Sequence, residues 1–151
     1  MEIKAKVTGA QNLGVRIARW EKSLDSFEAI WPRVERKFNA ITREQFTSQG
    51  TRGGSRWVPL SKKYARWKAA HHPGKPIMEL TGRLLRSLSA RTDDTTYNVT
   101  KKTWSKFTTL PYAARQDRTR PLIELTDEDQ AAFTKIFDEF AREQLKAAGL
   151  I

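Results

Sequence analysis

The chain has 151 residues, no cysteine and a formal net charge of +11, with 38% hydrophobic and 10% aromatic residues. That is enough apolar material to bury a core and too much for wholesale disorder. The missing cysteine excludes disulfides, thiolate catalysis and Cys-based metal sites, in keeping with assembly in a reducing cytosol.

No apolar run approaches the ~18 residues a membrane helix needs, and the first residues alternate where a signal peptide would be an apolar block. The expectation is a non-secreted chain with no membrane segment. Charge is unevenly spread. Residues 1–50 carry nine Lys/Arg against six Asp/Glu, residues 51–122 sixteen against four, and residues 123–151 three against seven. A body of +12 therefore precedes a segment of −4. A basic surface attracts phosphate backbones or acidic protein faces, and opposite signs on one chain suit head-to-tail contact between copies.

In chain order, Ile3, Ala5 and Val7 alternate with Glu2, Lys4 and Lys6 and predict a short strand over residues 2–8, with Gly9 and Gly14 as punctuation. From about Ser23 the spacing changes. Leu24, Phe27, Trp31, Val34, Phe38 and Ile41 recur every three or four residues, the stripe of a long helix. Pro32 either kinks that helix or restarts it from a first turn, and Gln49-Gly50 ends it.

Residues 47–56 lack apolar side chains and hold three glycines, predicting a mobile loop. Ser61 caps a short helix to about Ala70, residues 71–76 break the chain, and residues 81–88 form a third helix. Ala90-Arg91-Thr92, Tyr97 to Thr100 and Trp104 to Thr108 read as β-like, separated by turns at Asp93-Asp94 and Lys101-Lys102. Tyr112 to Gln116 suits one helical turn. Thr126 with Asp127, Glu128 and Asp129 starts a last helix, striped by Phe133, Ile136, Phe137, Phe140 and Leu145 and ended by Gly149. The sum is one α+β domain over residues 1–151, long helices packed on a small antiparallel sheet.

Little in the chain suggests a reaction. His71 and His72, the only histidines, are adjacent on an expected loop, point apart, and have no nearby Cys or carboxylate cluster to complete a metal site. The segment Gly50-Thr51-Arg52-Gly53-Gly54-Ser55 lacks the Gly-Lys-Ser/Thr ending of a phosphate loop. Turns and caps account for the acidic pairs, and no nucleophile stands beside a base. Neither an enzyme nor a cofactor is expected. Arg56-Trp57, Lys62-Lys63-Tyr64, Arg66-Trp67-Lys68 and Lys102-Thr103-Trp104 interleave cations with rings, as single-strand binders do. Equally, Trp57, Tyr64 and Trp67 suit packing beneath long basic side chains. On the residues alone both readings stand.

The order of these signals resembles the phage virion morphogenesis family, the tail-completion and neck proteins. Phe46-x-x-Gln-Gly precedes a Gly-rich loop into Trp57-Val58-Pro59-Leu60-Ser61, with Tyr64 and Lys68 on the next helix. Residues 78–88 are similar to the family's Leu-x-x-Thr-Gly-x-Leu-x-x-Ser segment. Tyr112-Ala113-Ala114-Arg115-Gln116 is similar to its Tyr-Ala-x-x-His-Gln, and Arg120-Pro121-Leu122-Ile123-Glu124-Leu125-Thr126 to its lead into the last helix. The likeness runs from about residue 25 to 148. It departs at Arg115, in place of His, at Asp117, in place of Gly, and at Leu122-Ile123-Glu124, in place of Phe-Leu-Gly.

The resemblance implies a structural virion protein at the head–tail junction, a subunit of a homo-oligomeric ring that joins head to tail without catalysis. Its implied partners are its own copies and other connector or tail proteins, with non-specific contact to packaged DNA and none to a membrane. The residues expected at its interfaces are Arg52, Arg56, Trp57, Tyr64, Trp67, Lys68, Tyr112 and Arg115. Arg52 and Arg56 reach outward from the loop, and Trp57 anchors its base. A stand-alone basic nucleic-acid-binding protein is the alternative.

Overall fold

The computed structural model describes residues 8–151. The strand expected over residues 2–8 lies outside them, apart from Thr8, which begins a helix. That helix, α1 (Thr8–Ser23), contains Gly9 and Gly14. Neither breaks it, although each costs about 1 kcal/mol relative to Ala. Two polar tethers to the far end of the chain hold it. Arg16 Nη1 donates to the Gly149 carbonyl at 3.0 Å and Trp20 Nε1 to the Ala141 carbonyl at 3.3 Å.

The long apolar stripe is divided. Leu24 and Phe27 lie in the connection, a 3₁₀ turn occupies Glu28–Ile30, and α2 (Trp31–Thr47) begins anew with Pro32 in its first turn, where no amide hydrogen bond is lost. Helix α2 is the spine of the fold. Its first half joins one apolar cluster, in which Ile30, Trp31, Val34 and Phe140 are buried with Phe27, Phe133, Ile136 and Phe137 packed around them. Its end joins a second, in which Phe46, Trp57, Leu84, Leu88, Leu110, Ala113 and Leu122 are buried. The partner in the first cluster is α6 (Asp127–Ala147), which Thr126 and Asp129 start with a capping box.

A 3₁₀ turn at Thr51–Gly53 leads towards α3 (Lys62–His71), capped by the Ser61 hydroxyl accepting from the Tyr64 amide. Helix α4 (Arg83–Ser89) follows Gly82. Strands β1 (Thr95–Val99) and β2 (Trp104–Thr108) form an antiparallel hairpin with Tyr97 opposite Lys106. The hairpin turn docks on the start of α2: Phe27 N donates to the Lys101 carbonyl at 2.7 Å and Trp31 Nε1 to the Thr100 carbonyl at 2.8 Å. The sheet also packs on α2 through Trp104, whose ring meets Phe38 edge-on at 5.2 Å. Lys106, its side chain fully buried, donates to Asn39 Oδ1 at 2.8 Å and lies 3.6 Å from Glu35 Oε1.

The β-like segment expected at Ala90-Arg91-Thr92 is not a strand. Hydrogen bonds between Thr92 and Thr95 bend the chain there, and the Arg91 guanidinium lies over the Tyr97 ring, 3.8 Å from its centroid, while pairing with Glu35. A short α5 (Ala113–Asp117) completes the order. Among the described residues six helices and one two-stranded antiparallel sheet thus make an α+β fold.

Candidate interface

The basic, aromatic stretch from residue 46 to 88 divides into an inward part and an outward part. The inward part starts where α2 ends. Gln49 and Gly50 both have positive φ, 53° and 86°, and reverse the chain so that Trp57 returns against Phe46. The two rings meet at 5.1 Å and 88°, and Trp57 is 2% exposed. Position 50 must be glycine, because a Cβ there would lie 2.5 Å from Trp57 Cδ1. One carbonyl, that of Pro121, accepts from both Trp57 Nε1 and Gln45 Nε2 at 2.9 Å. Gln49 donates to the Phe46 carbonyl at 2.7 Å and accepts from the Ile77 amide at 2.9 Å. Trp57 thus packs at the base of the loop, enclosed by Phe46 and Gly50.

The loop above it is tied down, contrary to the mobile segment expected. Arg52 faces inward, with its side chain 13% exposed. Its guanidinium donates to Glu44 Oε2 at 2.9 Å, to the Glu124 carbonyl at 3.1 Å and to Asp129 Oδ2. Lys37 Nζ lies 3.2 Å from the other Asp129 oxygen. Burial alone would raise the Asp129 carboxyl. The hydrogen bonds from Arg52, from the Thr126 amide and hydroxyl, and from Lys37 outweigh it and hold the group well below the usual carboxylate range. An arginine committed to three internal acceptors is not displayed to a partner, so of the two loop arginines only Arg56 remains exposed.

Two departures from the family pattern are used locally. Asp117 Oδ1 accepts from the Leu122 amide at 2.8 Å. Glu124 lies against Gly53, where a Cβ would come within 2.2 Å of its carboxylate.

The outward part is α3. Tyr64 and Trp67, one helical turn apart, are 41% and 42% exposed. Their rings stack at 5.5 Å and 21°. His71, at the last residue of α3, extends the stack at 4.9 Å and 20° from Trp67, with its Nδ1 2.8 Å from the Trp67 carbonyl. His72 tilts onto the same indole at 5.6 Å. The histidines therefore converge on Trp67; the helix continues to His71, so they do not point apart from an extended loop. Among the described residues no group of three or more His, Cys, Asp and Glu is arranged to hold a metal.

Lys68, one turn after Tyr64 on α3, is buried and donates from Nζ to the Pro76 carbonyl. Burial pushes its pKa down against the opposing charge of Glu79. Its role is to tie α3 to the following loop. A groove of about 290 Å³ runs beside it, lined by Tyr64, Lys68, Met78, Glu79, Thr81 and Tyr112 among others. Met78, with φ 68°, holds a left-handed conformation that costs free energy for a residue with a side chain. Tyr112 is exposed at the groove and Arg115 exposed on α5.

The candidate residues thus fall into an internal set, Arg52, Trp57 and Lys68, and a surface set, Arg56, Tyr64, Trp67, Tyr112 and Arg115. Sequence reasoning missed Gln45, named Gln49 only as a helix end and motif residue and Met78 only as the start of a motif, and assigned Asp129 to capping alone. Compared with protein-family models, with curated proteins and with solved structures, the chain matches none.

Proposed function

We propose that this chain is a structural protein of a phage or prophage virion, a neck or tail-completion subunit that assembles into a ring and joins head to tail without a chemical step. The observation that supports it is the interdependence of the residues carrying the resemblance. Phe46, Gly50 and Trp57 from the first motif and Pro121 from the last close on one another through one ring pair and one carbonyl, which Trp57 shares with Gln45. Motifs that lock together in space are a stronger likeness than the same motifs in order along a chain. The charge distribution supports self-assembly as well. Exposed cations on α3 and exposed carboxylates on α6 allow unlike surfaces of neighbouring copies to meet, as a closed ring requires. Other connector or tail proteins are its further partners, in the virion and in host cytoplasm during assembly.

The test is a phage genome carrying this gene with an early stop codon. Filled heads and finished tails that stay separate in electron micrographs, joined again when the chain is supplied in trans, are the expected result. Joined, infectious particles at wild-type titre would refute the proposal.

A further inference from the structure

Between Glu44 and Glu79 the chain has no carboxylate. Residues 45–78 hold Arg52, Arg56, Lys62, Lys63, Arg66, Lys68 and Lys75. Internal acceptors occupy Arg52 and Lys68. The other five are exposed, and none has an ion-pair partner among the described residues. Like charges gathered without counter-charge repel one another, and a polyanion relieves that repulsion.

Among these cations stands the ladder of Tyr64, Trp67 and His71, its rings within about 20° of parallel. At its Tyr64 end lies the groove shared with Tyr112, open space beyond the last ring. Lys68, Arg83 and Glu79 line that groove, but Lys68 is spent on the Pro76 carbonyl and Arg83 on Asp94, so neither cation is left to meet a phosphate.

We propose that this face of α3 binds single-stranded nucleic acid with little sequence preference. Bases extend the Tyr64–Trp67–His71 stack, and Lys62, Lys63, Arg66 and Lys75 meet the phosphates. A duplex keeps its bases stacked on one another, so the ring ladder reaches only an unpaired strand. The acidic helix α6 of a second copy is the rival occupant, since Asp127, Glu128 and Asp138 are exposed on it. It answers the charge but not the rings. The exposed residues among those carboxylates include Gln130, Ala131 and Thr134, which offer no flat face to continue a stack. The inference goes beyond the head–tail proposal, which keeps the Phe46–Trp57–Pro121 closure as its support, and it gives the α3 cations to nucleic acid in place of the α3–α6 contact.

Tryptophan fluorescence titrations with an oligothymidylate of about 15 nucleotides, with a duplex of the same length and with heparin test it in the full chain. Tight single-strand binding with quenching, and weaker duplex binding, is expected. Trp67→Ala should weaken the single strand roughly tenfold or more, and Trp67→Phe should recover part of the loss. Lys62→Gln combined with Lys63→Gln should make the dependence of log affinity on log salt shallower by about 1.4, at about 0.7 per phosphate contact. Circular dichroism confirms that each variant is folded. Equal affinity for all three polyanions, unchanged by Trp67→Ala, would overturn the proposal in favour of charge alone. Absence of oligonucleotide binding at about 50 mM salt would overturn it outright. Loss of self-association in Trp67→Ala, with oligonucleotide binding intact, would assign the face to a second copy instead.

Discussion

Trp57 and Trp67 stand ten positions apart, each next to an arginine, and do opposite things. Trp57 is closed in by Phe46 and Gly50, its indole N–H spent on the Pro121 carbonyl. Trp67 stacks between Tyr64 and His71 with two-fifths of its surface open. The arginines beside them, Arg56 and Arg66, are both exposed, so among the basic side chains the division falls elsewhere. Arg52 is enclosed by Glu44, Glu124 and Asp129, whereas Arg66 is exposed without an ion pair among the described residues. A basic, aromatic composition is therefore not one property. Where acceptors from distant segments surround the residues, cations and rings build the fold. Where none do, the same residue types are left at the surface.

The contrast is greatest in stability. Trp57→Ala removes a fully enclosed ring together with its hydrogen bond, and the Pro121 carbonyl and Gln45 cannot refill the space. A loss of about 3–5 kcal/mol is expected, with a large fall in the urea midpoint and, with it, loss of any self-association. A variant that unfolds at the wild-type midpoint would show that Trp57 is not the anchor of the loop.

The Asp129 cluster should follow, with a dependence on pH. Asp129→Asn leaves Arg52 and Lys37 without their shared anion. The expected cost is about 2 kcal/mol near neutral pH, below the full cost of breaking a buried pair, because Arg52 keeps Glu44 and Lys37 is partly exposed. The Asp129 carboxyl titrates lower in the folded chain than its ordinary value. Its contribution is therefore complete above the unfolded value, near pH 4, and is lost as pH falls from there towards the depressed folded value. Glu35 and Asp94 are also lowered, by Arg91 and Arg83, but both are present in wild type and variant and cancel in the difference. Urea unfolding of the two proteins from pH 7 downward should show stabilities that converge below about pH 4. A constant gap throughout would remove charge from the role of Asp129.

The parts of the fold readable from the sequence are those whose causes are local. Ser61 and Thr126 cap the helices that follow them, Pro32 starts one, and the Phe133 to Phe140 stripe buries as its spacing requires. Helix α1 was hidden because two glycines interrupt it and its tethers, Arg16 and Trp20, reach residues 133 and 121 positions away. The same distance effect concealed the inward turn of Arg52, whose partners Glu124 and Asp129 lie 72 and 77 positions away. Residue type predicted that Arg52 would be charged and Trp67 would be in contact with something. Only the arrangement of remote acceptors decides whether that something is in the same chain.

Trp67→Ala gives the smallest expected change in stability and is the counterpart of Trp57→Ala. Among the described residues its indole has no hydrogen-bond partner of the kind that fixes Trp57, and its ring stacks with Tyr64 and His71 of its own helix and the adjoining His72. Removing it leaves Lys68, buried beneath α3 and bound to the Pro76 carbonyl, to hold the helix in place. The shift should stay within about 0.5 kcal/mol, the range of surface substitutions, and alanine's higher helix propensity offsets part of the lost stacking. Calorimetric melting of the two alanine variants beside wild type measures the contrast directly. A Trp67→Ala melting point depressed as far as that of Trp57→Ala would mean that the exposed ladder is structural, and that α3 owes its position to its rings rather than to Lys68.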